Sequence, residues 1–268
     1  FQYDLSDYLY FGEKPNVLAV KVDNSDQPNS RWYSGSGIYR NVWLEKTNPI
    51  HIDLWGTHIT TSSVTKEAAQ VAIALVVNNT THLNQNIVLE TQIINQENQI
   101  VARTQSSMNA LFNDTSSIHQ SLKVDKPQLW SIENPYLYKA ISLIYLNNKL
   151  IDSYETTFGI RFFEFDSKKA FSLNGKPTKI LGVCNHHDLG ALGAAFHVRA
   201  AQRQLEILKD MGCNAIRTSH NPPAPELLDL CDQMGFLVMD ETFDMWAKKK
   251  VDYDYSTVWN EWHERDLT

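Results

Sequence analysis

Three stretches decide the fold: ILGVCNHHDLG at 180–190, NAIRTSHNPP at 214–223 and FLVMDETFDMW at 236–246. Each begins as a short apolar run and ends in polar, titratable side chains. The first ends in Asn185, His186, His187 and Asp188, the second in Arg217, Thr218, Ser219, His220 and Asn221, the third in Asp240 and Glu241. Between them lie segments of helical period. Residues 198–211 carry Leu205, Ile207 and Leu208 among charged residues and stop at Gly212; residues 225–234 open on Pro225, bring Leu227, Leu228 and Leu230 inward and stop at Gly235. Proline in the first turn and glycine just past the last are ordinary helix boundaries. The order strand, helix, strand, helix, strand predicts consecutive β-α units, hence a parallel barrel or an open doubly wound sheet. No glycine-rich phosphate loop follows the first strand, so the barrel is preferred. In such a fold chemistry gathers beyond the carboxyl ends of the strands.

Side chains alternate along a strand, so His186 and Asp188 are expected to share a face with His187 turned away, and Arg217 to pair with Ser219. Pro222 and Pro223 favour an extended backbone just before them. The three strand ends therefore predict a ring of imidazole, guanidinium and carboxylate groups around one mouth. That suits a hydroxyl-rich ligand, with Trp246 as a flat apolar wall. A metal site is the rival chemistry, because His186, Asp188, His220 and Glu241 are all legitimate ligands. No two histidines here have the i, i+2 strand or i, i+4 helix spacing that would put both imidazoles on one face. No metal and no cofactor is expected.

Upstream the chain reads as β-rich scaffolding. Residues 17–22, VLAVKV, and 41–45, NVWLE, read as strands. Between them the segment 31–40 holds two arginines, aromatic residues and two glycines one position apart, which predicts a sharply turned loop; such a loop can bind a ligand and more often packs on a neighbouring domain. From Ile50 to about Phe158 come some seven short β segments, including 50–55, 70–77, 87–94, 118–124 and 138–146. Val71, Ile73 and Leu75 alternate against Gln70, Ala72 and Ala74, and Asn147-Asn148 supplies a hairpin turn. Many strands over about 100 residues predict an immunoglobulin-like β-sandwich, with Trp130 in its core. Asn174-Gly175 predicts a tight type I′ hairpin as the third region begins. The expected divisions are 1–47, 48–160 and 161–268.

Composition narrows the class. The chain of 268 residues has a formal charge of -7 and no basic stripe, so it offers no footprint for nucleic acid. No apolar run approaches the roughly 18 residues that span a bilayer. Cys184, Cys213 and Cys231 stand singly in apolar surroundings, which predicts three buried free thiols. The sequons at Asn78, Asn79 and Asn113 are read as incidental. Phe1 and the lack of an export leader before it read as a start inside a domain, so compartment is not set by the residues.

Taken together, the segments 182–188, 217–222 and 240–241 resemble glycoside hydrolase family two, the family of β-galactosidases, β-glucuronidases and β-mannosidases. The resemblance extends over Ser36-Gly37-Ile38-Tyr39-Arg40, Trp130-Ser131-Ile132-Glu133-Asn134-Pro135 and Phe158-Gly159-Ile160-Arg161, each in the expected order. It implies a jelly-roll domain whose carboxyl-terminal part is 1–47, the sandwich, and then the first units of a (β/α)8 TIM barrel. It implies a retaining exo-glycosidase acting on terminal β-linked sugars, β-galactosides first, with a β-glucuronidase, a β-mannosidase or a non-catalytic carbohydrate-binding module as alternatives. His186, His187, Asp188, Arg217, His220, Asn221, Asp240, Glu241 and Trp246 would line the sugar subsite, His186 and His220 touching the sugar and Arg217 lying behind it. The family's acid/base follows an Asn in a strand-end Asn-Glu pair. Here the one such pair, Asn260-Glu261, stands in a charged run that reads as a helix. Both catalytic carboxylates are thus expected beyond Thr268, and residues 1–268 alone are expected to be inactive. Where some members place magnesium ligands, this sequence has Met245 and Ala247. The implied partner is a carbohydrate; a homo-oligomer is left open, as is a periplasmic or secreted location.

Overall fold

A computed structural model describes residues 2–32 and 35–267. By contact the chain forms two compact units, one of residues 40–244 and one of residues 1–39 with 245–268.

The larger unit opens with the sandwich. Strands β1 (Ile50–Ser62), β2 (Ala68–Asn79) and β5 (Asp114–Asp125) form one antiparallel sheet in the order β1-β2-β5. Strands β3 (Gln85–Ile94), β4 (Ile100–Ala110), β6 (Tyr138–Leu146) and β7 (Lys149–Phe158) form the other, in the order β4-β3-β6-β7. Alternation decides which faces meet. Ala69, Val71, Ile73, Leu75 and Val77 of β2 are fully buried, as are Leu89 and Ile93 of β3, and together they make the inter-sheet core. A register shift in β1 between Ile52 and Thr57 coincides with Trp55 at φ 57°. Asn147 and Asn148 both take positive φ, closing the β6–β7 hairpin as a type I′ turn requires.

Trp130, 1% exposed, joins the sandwich to the barrel segment. Its backbone N–H donates to Ile160 O at 2.9 Å, its indole N–H donates to Asp232 O at 2.8 Å, and the Arg161 guanidinium lies 4.5 Å from the indole centroid. A small antiparallel sheet comes next in the chain, with β8 (Phe163–Asp166), β9 (Ala170–Leu173) and β10 (Lys176–Pro177) in the order β10-β9-β8. Its tight turn is Asn174-Gly175, at φ 51° and 76°.

Then come β11 (Gly182–His186), α1 (Val198–Asp210), β12 (Ala215–Ser219), α2 (Pro225–Met234) and β13 (Leu237–Met239). The three strands are parallel and in sequence order, with Gly182 beside Ala215 and Ala215 beside Leu237. Ala201 and Leu205 of α1 and Leu230 and Cys231 of α2 pack on Ile216 and Phe236, so the helices cover one face of the sheet. Pro225 occupies the first turn of α2, and Gly212 and Gly235 follow the two helices at φ 87° and 75°.

The smaller unit contains a 3-10 turn at Ser6–Tyr8, another at Tyr255–Thr257, and helix α3 (Trp259–Leu267). Its aromatic residues stack on one another: Trp246 and Trp259 at 5.6 Å between ring centroids, Trp259 and His263 at 4.6 Å. The strands expected at 17–22 and 41–45 are not formed; neither segment has a ladder partner among the described residues, and Val17, Leu18, Trp43 and Leu44 are exposed. Tyr33 and Ser34 of the expected glycine loop lie outside the described residues.

Asp254, 1% exposed, organises this unit's last turns. Burial alone would raise its carboxyl, but the Ser256 hydroxyl and the N–H groups of Val251, Lys250 and Ser256 donate to it and hold it at about 2, below the usual 3.8. Because the folded value is the lower one, the stabilisation is complete above pH 3.8 and is lost as pH falls towards about 2. Asp254→Asn is expected to abolish that acid-sensitive step and to lower stability at neutral pH by about 2 kcal/mol. Denaturant melts across the acid range check it; an unchanged acid profile would refute it.

Candidate functional site

The parallel strands end at His186, Ser219 and Met239, and the polar clusters follow at once. The register places Arg217 beside Met239, so Glu241, two residues further on, lies near Arg217 and the His220 that follows β12. Both oxygens of the Glu241 carboxylate are engaged. Arg217 Nε donates to Oε1, and His220 Nδ1 lies 2.8 Å from Oε2. The Glu241 backbone N–H donates to Thr218 Oγ1 at 3.0 Å, and that hydroxyl donates to Asp240 Oδ1 at 3.3 Å. The His186 ring stands nearly perpendicular to that of His220, with centroids 5.3 Å apart. The peptide between Ser219 and His220 is cis. His186, Arg217, His220 and Glu241 thus form one cluster on neighbouring strand ends.

The electrostatics follow from these contacts. Partial burial would raise the Glu241 carboxyl, but the bonds from His220 and Arg217 outweigh it and hold it below the usual range. Asp240 is pushed up by burial, against the Thr218 bond and the Arg40 charge, which pull it down. His187 is held below the usual imidazole range by burial and then by the Arg40 charge, opposed by a bond to the Ala194 carbonyl.

His187 follows the end of β11 and is half-buried, whereas His186 is exposed. With Asn185, Phe196, Ala201, Gln204 and Leu227 it lines a cavity of about 40 Å³ between the strand ends and the helices. Asn221 borders the same cavity. Asp188 follows the end of β11, borders the same cavity as His186, and its carboxylate accepts the Gly190 N–H at 2.6 Å in a local turn. Trp246 belongs to the smaller unit, where it stacks on Trp259. Glu261 is exposed on α3, a helix as expected.

Two features are not visible in the sequence. The expectation of three buried thiols holds for Cys231, which burial pushes up to about 12, but Cys184 is exposed. It lies on the face of β11 opposite the helices, and Arg217 Nη1 stands 3.4 Å from its sulfur. Arg40 reads in the sequence only as part of a glycine loop, yet its guanidinium donates to Pro222 O, and Asn41 Nδ2 donates to Glu226. The 40–41 segment therefore fastens the loop that follows His220 and Asn221. Among the described residues no group of three or more His, Cys, Asp and Glu is placed to hold a metal. At the positions where some family members carry magnesium ligands stand Met245, which is buried, and Ala247, neither of which supplies an oxygen donor, so these residues do not fit that ion.

A sandwich leading into parallel β-α units, with a polar ring at the strand ends, defines a barrel protein that carries an immunoglobulin-like domain ahead of its site. Residues 50–161 match the family model described as glycosyl hydrolases family 2, and residues 166–266 match the TIM barrel domain of the same family. The chain belongs to glycosyl hydrolase family 2. Its parallel strands are the first units of the (β/α)8 barrel. The chain is 56% identical over 267 residues to Beta-galactosidase BoGH2A of Bacteroides ovatus, covering 100% of this chain and 31% of that protein. It is 38% identical to a putative beta-glucuronidase of Formosa agariphila, covering 100% of this chain and 25% of that one. A solved structure of a glycosyl hydrolase family 2 member from Bacteroides cellulosilyticus superposes with a TM-score of 0.86 at 43% identity, over 89% of this chain and 31% of that one. The chain spans about a third or less of the length of these relatives.

Proposed function

We propose that this protein is a retaining exo-glycosidase that hydrolyses terminal β-galactosides. The observation that carries the reading is the 56% identity, along the whole chain, to a protein named a beta-galactosidase. The strand-end cluster supports it. Imidazoles, an amide and a guanidinium-bound carboxylate offer directed hydrogen bonds to a polyol, and His186, His220 and Asn221 are the side chains proposed to meet the sugar, with Asp188, His187 and Asp240 behind them. Neither Asp240 nor Glu241 is assigned to acid/base or nucleophilic chemistry, which in a retaining enzyme takes two carboxyl groups about 5 Å apart. Glu241 is already ion-paired with Arg217.

A β-glucuronidase is the second reading, favoured by the 38% identity to a putative beta-glucuronidase. A glucuronide brings a carboxylate that calls for a cation. Of the cations at the ring, Arg217 donates to Glu241 and Arg40 to Pro222 O, which favours the neutral sugar. Aryl β-galactoside, β-glucuronide and β-mannoside given under equal conditions to the full-length protein that contains residues 1–268 separate the readings. The expected result is a kcat/KM for the galactoside at least about 100-fold above the others, with the β-anomer formed first by proton NMR. Preference for the glucuronide, or the α-anomer first, would overturn the proposal.

A further inference from the structure

Glu241 touches both the arginine and an imidazole of the ring, and the geometry sets the direction of its bonds. His220 Nδ1 is 2.8 Å from Glu241 Oε2 and 3.3 Å from Arg217 Nη2. These two neighbours make opposite demands. The carboxylate oxygen can only accept, so it needs a proton on Nδ1; the guanidinium can only donate, so it needs a lone pair there. The carboxylate is nearer, and a hydrogen bond to an ionised acceptor is among the stronger ones. Arg217 meanwhile spends its Nε–H on the other oxygen of the same carboxylate. Glu241 therefore decides the contest, and Nδ1 carries the proton.

We infer that Glu241 is a positioning residue, which fixes His220 as the Nδ1–H tautomer so that Nε2 is a hydrogen-bond acceptor toward a hydroxyl group of the sugar. This rests on the reading of the ring as a sugar site and adds the polarity of one of its bonds. The imidazole asks for a ligand group that donates, which a hydroxyl does and a fluorine or an ether oxygen does not. Arg217, held by the same carboxylate, keeps the pair in register across β12 and the segment after β13. In the absence of a partner on Nδ1, a neutral imidazole would be free to take the other tautomer and present Nε2–H, a donor, to the same hydroxyl.

Ring nitrogen–proton correlation spectra of the 15N-labelled protein in mildly alkaline buffer test this, with His220 identified by the signal lost in His220→Gln. The expected spectrum of the unaltered protein has His220 protonated at Nδ1 and bare at Nε2, and in Glu241→Ala the proton moves to Nε2. A His220 protonated at Nε2 in the unaltered protein overturns the inference, and that measurement does not depend on the variant folding. Kinetics on the full-length protein that contains residues 1–268 supply the second arm. Glu241→Ala is expected to lower kcat/KM on an aryl β-galactoside about 30-fold. In the unaltered protein, at one hydroxyl position, the deoxy and deoxyfluoro galactosides should be slowed alike, because neither donates. A fluoro analogue that is turned over as fast as the parent at every position would contradict the acceptor role. If no aryl β-glycoside is turned over at all, the reading of the ring as a sugar site falls, while the tautomer still decides what Glu241 does to His220.

Discussion

Replacing Gly235 by alanine is expected to destabilise the protein by at least about 3 kcal/mol. Gly235 ends α2 in the left-handed region, φ 75° and ψ 48°, where a side chain costs about 1 kcal/mol by itself. The larger cost is contact. A Cβ there would stand 2.2 Å from Ile132 O, 2.9 Å from Ile132 C and 3.2 Å from its Cα, all backbone atoms that cannot swing aside. They belong to the Trp130–Pro135 segment, whose indole donates to Asp232 in the last turn of α2. Relief would require parting the sandwich from the barrel segment at the point where they meet. Gly212 is the control. It follows α1 at φ 87° with nothing within 4 Å of a built Cβ, so Gly212→Ala should cost only the backbone term, about 1 kcal/mol. Thermal melts of both variants measure the difference. Equal shifts in Tm would show that the close approach at Ile132 carries no weight.

Much of this fold was legible because its signals are local. Asn174-Gly175 and Asn147-Asn148 adopt the positive φ that their turns demand, and Pro225, Gly212 and Gly235 bound the helices where they stand in the sequence. The alternation in β2 told which face is buried because one face meets a second sheet. Residues 17–22 and 41–45 show where that logic stops. Their β-branched and aromatic residues suit a strand, but a strand exists only with a ladder partner, and pairing is not a local property. Cys184 departs from expectation for a related reason. An apolar setting in sequence predicts burial, whereas the side of the sheet it occupies faces away from the helices.

The site was legible in its parts and less so in its connections. Alternation could place neither His187 nor Asp188, because both fall after the strand has ended, and His186, His187 and Asp188 all border the same cavity. The residues of the cluster were visible as strand-end polar runs. The bridge from Glu241 to both Arg217 and His220 depends on the register of β12 against β13, with Arg217 opposite Met239. The part played by Arg40 depends on a contact between residues 182 positions apart, and no periodicity reports that.

His220 carries the second large effect. Its ring is held on one side by Glu241 and stands against His186 on another, so it is fixed before any ligand arrives. A pre-oriented imidazole that bonds a sugar hydroxyl contributes to binding in both ground and transition states, and its removal leaves that hydroxyl without a partner in the site. His220→Ala is expected to lower kcat/KM for an aryl β-galactoside about 100-fold, the loss of one strong hydrogen bond. Its Tm should change little, because the residue lies at the rim of the sheet rather than in the core. The measurement that tests the central claim most directly is therefore kcat/KM on an aryl β-galactoside for the full-length protein that contains residues 1–268 and its His220→Ala variant, with Tm measured on both. A fall of about 100-fold at unchanged Tm is predicted; a kcat/KM within about threefold of the unaltered protein would place the sugar elsewhere and contradict the account.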